Sequence, residues 1–400
     1  MRFVPRIIEL SKREQVQRAM QAIGCDVRGI AIMQDKILFK VMKIEGIEAK
    51  NANLLKQTFL AKGGEVAVAR GVADLSVTHT DVIICATLKQ YRLAIAQLKQ
   101  QPWGLPDIAM AMEETLYNSE AKMKREYTWK DKQLVLPTKR TLVMGILNVT
   151  PDSFSDGGRF KNMDNALRHM QEMCGSGADI IDIGAESTRP YGENQAIDAQ
   201  EEMERLMPTL ERLVKECPIP ISVDTYKAEV AEAALASGAH MINDVWGLQR
   251  DANMVKVIAR HKVPVIVMHN RQGINLESDI MQDILNFFSK SIEIAEAHGI
   301  LREQLILDPG IGFAKTTEQN LSVLARLREL KGLGCPILIG TSRKRFIGEV
   351  LDLPVEDRVE GTAATVACAI MNGAKIIRVH DVKEMVRIAR MTDAITKEEF

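Results

Sequence analysis

Eight short aliphatic runs in the latter part of this chain each hand over to polar residues of the kinds that do chemistry. The runs are "TLVMGIL", "ADIIDIG", "IPISVDT", "AHMINDV", "VPVIVMH", "QLILDPG", "CPILIGTS" and "AKIIRVH". At or just beyond their ends stand Asn148, Glu186 through Arg189, Asp224, Asn243 with Asp244, Met268 with His269, Asp308, Ser342 through Lys344, and Arg378 with His380. These residues divide by chemistry. Arg189, Lys344, Arg378 and His380 supply positive charge, and the two guanidiniums suit a bidentate grip on phosphate or carboxylate oxygens. Asp224, Asn243 and Asp308 supply acceptors and an amide, which suit a heterocycle rich in N–H donors such as an aminopyrimidinone. Asn148, with the loop acids Asp152 and Asp156, adds hard oxygen ligands for Mg2+, an ion that commonly bridges to a diphosphate. The implied ligand is an anionic group beside a donor-rich ring. Singly, Asp224 or Asp308 could cap a helix, Asn243 could satisfy a loop, and His269 reads as a structural packing residue. Together, at one end of successive runs, they are not explained as caps.

Such a set needs a scaffold that brings many strand ends to one rim. Between the runs lie segments of helical period, among them "MDNALRHMQEMCGSG", "EEMERLMPTLERLVKE", "KAEVAEAALASG" and "TTEQNLSVLARLREL". Gly177, Gly238, Gly299 and Gly373 stand just before strands, where left-handed helix caps belong. Eight βα units from residue 141 to 400 have the size of a (β/α)8 TIM barrel, whose active site lies at the C-terminal ends of its strands. A doubly wound sheet is the alternative, but no G-x-G-x-x-G turn follows the first strand. The polar residues therefore belong to the functional rim of a barrel.

Residues 1–118 read as a separate small α/β domain: strand "ILFKVMKIEGI", helix "AKNANLLKQTFLAKGG", strand "EVAVARG", strand "DVIICAT" and helix "LKQYRLAIAQLKQQ". No catalytic constellation shows there. Residues 119–140 read as a charged linker with a possible hairpin in "YTWKDKQLVL". The whole chain of 400 residues is 46% hydrophobic and 26% charged with a formal net charge of −1, a globular composition without the basic excess of a nucleic-acid or anionic-membrane binder. Its N-terminus lacks the apolar core of a signal peptide, so a cytoplasmic location is expected. The cysteines, Cys25, Cys85, Cys174, Cys217, Cys335 and Cys368, form no C-x-x-C pair and read as reduced thiols.

Beyond residue 126 the sequence resembles the dihydropteroate synthase family. It carries "MGILNVTPDSFSDGG", "DIIDIGAESTRP", "SVDT", "IND", "MHN", "LDPGIGFAK", "GTSRKRFIG" and "RVHDV" in the family's order. The resemblance implies a barrel that is usually a homodimer. It also implies condensation of 6-hydroxymethyl-7,8-dihydropterin diphosphate with 4-aminobenzoate, giving 7,8-dihydropteroate and pyrophosphate. Carried over by motif, Asp224, Asn243, Asp308 and Lys344 would hold the pterin, with Met268 packing nearby and Arg378 stacking on the ring. Asn148 would bind Mg2+, and Arg189, Arg378 and His380 the diphosphate. Thr188, Pro190, Phe313, Ser342 and Lys344 would frame the aminobenzoate pocket, and Phe154 and Asp156 lie in the loop expected to close over it. The N-terminal domain departs from the pattern, and its expected role is a stabilising or dimer-building appendage. Two rivals remain. A pterin-dependent methyltransferase would share the barrel and the Asp/Asn grip but would not need the "ESTRP", "SRK" and "RVH" cations. A catalytically silent pterin-binding barrel would show a gap in the anion-site residues, and none is missing here.

Overall fold

The computed structural model describes residues 4–120, 125–136, 140–149, 159–186, 197–276 and 279–398. The chain divides into two compact units, one of Met1–Ala121 with Lys397–Phe400 and the other of Lys122–Thr396.

The first unit opens with two helices, α1 (Arg13–Ala22) and α2 (Val27–Ile37). Strand β1 (Phe39–Glu48), helix α3 (Ala49–Leu60), strands β2 (Glu65–Val68) and β3 (His79–Thr87), and helices α4 (Leu88–Leu98) and α5 (Leu105–Glu120) follow. The strands pair antiparallel in the order β1-β3-β2. In β3, Thr80, Val82, Ile84 and Ala86 are buried and alternate with more exposed residues, as a sheet with one covered face requires. Val82 and Ile84 share a core with Leu55 and Phe59 of α3 and Tyr91 and Leu98 of α4.

The second unit begins with a hairpin, β4 (Arg125–Thr128) and β5 (Gln133–Leu136). Eight parallel strands follow: β6 (Leu142–Asn148), β7 (Ile180–Gly184), β8 (Ile221–Asp224), β9 (Met241–Asp244), β10 (Val265–Met268), β11 (Leu305–Asp308), β12 (Leu338–Ile339) and β13 (Ile376–Val379). The ladder runs β11-β10-β9-β8-β7-β6-β13-β12, and a parallel bridge between Leu307 and Ile337 brings its two ends together. The outer helices are α6 (Arg159–Ser176), α7 (Ala199–Glu216), α8 (Ala228–Ala236), α9 (Met254–His261), α10 (Ile280–Ala297), α11 (Thr317–Arg326), α12 (Arg345–Leu351), α13 (Val359–Met371) and α14 (Val382–Glu398). This is the (β/α)8 barrel that the repeating pattern predicts. Gly177 and Gly373, at the ends of βα units, have φ of 99° and 107°, a region costly for residues with a Cβ.

Strand period sorts the side chains. One set, with Val143, Ile181, Val223 and Val265, packs outward in the core shared with the helices. The other set, with Leu142, Met144, Ile180, Met241, Ile266, Ile306, Leu338 and Ile376, forms a separate apolar cluster inside the barrel. The hairpin closes that cluster from the N-terminal end of the strands: Tyr127, Leu134 and Leu136 belong to it. Buried Arg125 donates to the carbonyl oxygens of Arg302, Leu305 and Gly334 at 2.6, 3.2 and 2.5 Å, and the Tyr127 hydroxyl donates to the Glu303 carbonyl at 2.6 Å. Residues 125–136, within the stretch read as linker and possible hairpin, thus form a fitted floor.

Candidate active site

Two residues further along five of the inward-facing rows, the lining turns to charged and amide groups. Ile180 is followed by Asp182, Ser222 by Asp224, Met241 by Asn243, Ile306 by Asp308 and Ile376 by Arg378. Because strand side chains repeat with period two, these residues face the same interior as the apolar layer beneath them. All but Arg378 are buried.

At their centre is Arg378. Its Nε donates to Asp182 Oδ2 at 2.6 Å and one terminal nitrogen donates to Asp224 Oδ2 at 2.7 Å. Burial works against its charge, but the Asp182 and Asp224 carboxylates outweigh that and hold its pKa above the ordinary value. Asn243 Nδ2 donates to the same Asp182 oxygen at 3.1 Å. Each anchor leaves an acceptor over: Asp182 Oδ1, Asp224 Oδ1 and Asn243 Oδ1 are buried and have no hydrogen-bond partner in the protein. Buried acceptors without donors are costly, so such a cluster marks a place built for N–H groups from elsewhere. Burial, with the charges of Asp182 and Glu202 adding to it, raises the Asp224 pKa from 3.8 to about 7 against the pull of Arg378 and Lys344. Burial also raises Asp308, whose Oδ1 accepts from the Gly310 N–H at 2.8 Å.

Above this layer the lining turns apolar and aromatic. Val245, Met268 and Phe313 form one buried cluster with Tyr226 and Trp246 against it. The Lys344 ammonium sits 4.4 Å from the Phe313 ring centroid, a cation–π contact that fixes both. Ser342 Oγ accepts from the His380 backbone N–H at 3.1 Å and lies 3.0 Å from His380 Nδ1. Asn148 ends β6, half-buried, in register with Gly184 of β7.

Asp224, Asn243, Met268, Asp308, Phe313, Ser342, Lys344, Arg378, His380 and Asn148 thus all stand at or just beyond the C-terminal ends of the strands. Phe154, Asp156, Thr188, Arg189 and Pro190 lie outside the described residues. One expectation is corrected. His380 does not supply a positive charge: burial, with Arg378, Arg343 and Lys344 near it, lowers its pKa to about 4, and at neutral pH it is an uncharged imidazole. Two neighbours are structural. Asp244 accepts from the Trp246 and Leu248 N–H groups at 2.8 and 2.7 Å and shapes the turn after β9. His269, 1% exposed, is held between Lys315 and Asp283. Asp182 and Val245 are the residues that sequence reasoning passed over. The alternation Ile180, Asp182, Gly184 inside "DIIDIG" carried the signal for the first.

The sequence matches the pterin binding enzyme family over residues 144–380. It is 54% identical to the dihydropteroate synthase of Bacillus subtilis (strain 168) over 257 residues, which is 64% of this chain and 89% of that protein. The chain belongs to the dihydropteroate synthase family of pterin-binding enzymes. Among solved relatives of this pterin-binding barrel is the dihydropteroate synthase of Clostridium difficile, determined in the presence of pteroic acid. The two are 54% identical with a TM-score of 0.63, over 65% of this chain and 98% of that one. The Xanthomonas albilineans enzyme, solved with 4-aminobenzoic acid, is 41% identical with a TM-score of 0.65, over 68% and 99% of the two chains. A probable bifunctional folylpolyglutamate synthase/dihydropteroate synthase of Halobacterium salinarum is 37% identical over 397 residues, 96% of this chain and 46% of its own. That alignment is long enough to take in the N-terminal unit as well as the barrel.

Proposed function

We propose that this chain joins 6-hydroxymethyl-7,8-dihydropterin diphosphate to 4-aminobenzoate, releasing pyrophosphate and forming 7,8-dihydropteroate. The observation that carries the reading is the cluster of buried, partnerless acceptors on Asp182, Asp224 and Asn243, beside Asp308 and beneath Lys344. The donor-rich edge of an aminopterin ring is the complement of such a cluster. The C–O bond to the diphosphate breaks with its electron pair leaving on the diphosphate, and the electron-rich ring stabilises the cationic methylene left behind. The aniline nitrogen then attacks that carbon and afterwards gives up its extra proton. In this scheme the protein forms no covalent bond. Asp224, Asn243 and Asp308 orient the ring, Met268 and Val245 pack against it, and Phe313, Ser342 and Lys344 place the aminobenzoate. Neutral His380 acts as a hydrogen-bond donor toward the leaving group, and Arg189, which follows β7 in the sequence, adds charge.

Mg2+ fits the donor set. No cluster of three or more His, Cys, Asp or Glu occurs among the described residues, and Asn148 offers one hard oxygen at the rim. A Mg2+ ion that takes most of its ligands from phosphate and water needs no more from the protein. When bound, it would neutralise charge on the departing diphosphate. We further read the protein as a cytoplasmic homodimer. No helix among the described residues is long and apolar enough to cross a membrane. Exposed Leu321, Val350, Leu351, Val355 and Met371 on the barrel's helices and loops offer apolar surface for a second copy.

The test is to mix the purified chain with pterin diphosphate, Mg2+ and 4-aminobenzoate and follow pyrophosphate. Release that requires aminobenzoate is expected; its absence would overturn the reading.

A further inference from the structure

One fully buried cation takes no part in the chemistry proposed above. Lys315, 2% exposed, follows β11 in the segment "DPGIGFAK". Its Nζ lies 2.8 Å from His269 Nδ1, 2.9 Å from the Gly310 carbonyl oxygen and 3.2 Å from that of Phe313. An ammonium has three protons, and here it meets three acceptors. His269 can accept at Nδ1 only when its remaining proton is on Nε2, and Asp283 Oδ2 stands 3.2 Å from Nε2 to receive it. Asp283 in turn pairs with Arg271, whose Nε donates to the Ala314 carbonyl at 3.1 Å. The Ala314 carbonyl is therefore held by Arg271 from beyond β10, and those of Gly310 and Phe313 by Lys315, which is itself seated on His269. Gly310 completes the fit: its φ is 66°, and a Cβ there would collide with the His269 carbonyl oxygen.

What this turn presents is Phe313, and Phe313 carries Lys344 on its face. We propose that Lys315 is a positioning residue for the aminobenzoate end of the site: seated on His269, Gly310 and Phe313, it sets the turn that places Phe313 against Lys344. The inference rests on the reading that Phe313 and Lys344 frame the aminobenzoate. Asp308 is held by its place in the β10–β11 ladder as well as by the Gly310 N–H, so the pterin grip depends less on Lys315. The charged and titratable groups facing Lys315 are His269 and Arg271 beyond β10, Asp283 on α10, Asp308 on β11 and Lys344 before α12. Burial, with Arg271 adding to it, lowers the Lys315 pKa to about 7. The ammonium is thus complete below that pH and loses its third proton above it.

The experiment is steady-state kinetics of the full-length chain with Lys315→Met and, as an isosteric second variant, Asp283→Asn, which lets His269 take the wrong tautomer. Wild-type turnover is measured first, since its absence would refute the proposed reaction rather than this inference. Lys315→Met should raise the KM for aminobenzoate at least tenfold, with kcat and the KM for pterin diphosphate changing less than threefold. Asp283→Asn should shift the same constant in the same direction. In the wild type, the aminobenzoate KM should climb as pH rises from 7 to 9; in Lys315→Met it should be high and flat. An aminobenzoate KM within twofold of wild type overturns the inference, as does an equal loss for both substrates. Should Lys315→Met fail to fold, an unchanged KM in Asp283→Asn overturns it alone.

Discussion

Replacing Asp224 with Asn should make the protein more stable and much less able to bind pterin. The folded structure raises this carboxyl from 3.8 to about 7, burial being the main cause. A carboxyl raised on folding stabilises the fold below its unfolded pKa and loses that contribution as pH rises toward the folded value. Above pH 7 the ionised group is less favourable folded than unfolded by about three pKa units, or about 4 kcal/mol; at pH 5.5 the same linkage gives about 2 kcal/mol. An amide cannot ionise and avoids that penalty, while Arg378 keeps its bond to Asp182. The expected gain is therefore at most about 4 kcal/mol at pH 8.5, on the order of 10 °C in melting temperature, and roughly half that at pH 5.5. Binding moves the other way. Loss of a charged acceptor costs about 1.5–3 kcal/mol, or roughly 10- to 150-fold in pterin affinity. Urea unfolding at the two pH values and calorimetric titration with a pterin read both effects. A variant no more stable than wild type at pH 8.5, or one whose gain shrinks as pH rises, would refute the account of Asp224 as a strained acceptor kept for its ligand.

Three further outcomes follow from the structure. Removing Mg2+ with a chelator should abolish turnover and adding it back should restore it, while Asn148→Ala should need at least tenfold more Mg2+ for half-maximal rate; a chelator-insensitive rate would sink the metal's role. Gly310→Ala combines a left-handed φ with a backbone collision. It should cost roughly 2–4 kcal/mol, or displace the turn and raise the aminobenzoate KM, as thermal melting and kinetics would show. Arg125→Ala strips three buried carbonyls of a charged donor. It should cost about 2–5 kcal/mol in urea unfolding, and a loss below 1 kcal/mol would mean the hairpin is dispensable.

Much of the barrel was legible because period two and period 3.6 alternate so regularly after residue 141. The rim residues stood out because each ends an apolar run. Asp182 did not, since it lies within its run and only strict alternation sets it inside the barrel. The charge state of His380 was hidden for a different reason: besides Arg378, two residues before it, it depends on burial and on Arg343 and Lys344, which its neighbours in the chain do not show. The Lys315 network was equally hidden, because Lys315 and His269 are brought together from sequence positions 46 residues apart. Helices α1, α2 and α5 escaped notice in the N-terminal unit, where short amphipathic segments carry weaker patterns than the barrel's repeats.

The hairpin floor has a kinetic meaning. Among the described residues, Tyr127, Leu134 and Leu136 close the N-terminal end of the barrel, so that loading and emptying fall to the C-terminal end of the strands. The partnerless acceptors of Asp182, Asp224 and Asn243 are strand residues, while Phe313, Ser342 and Lys344 come from segments beyond the strand ends. A molecule seated at the outer position first would bar the way to the inner one. On the roles proposed above, the pterin would then have to go in ahead of the aminobenzoate.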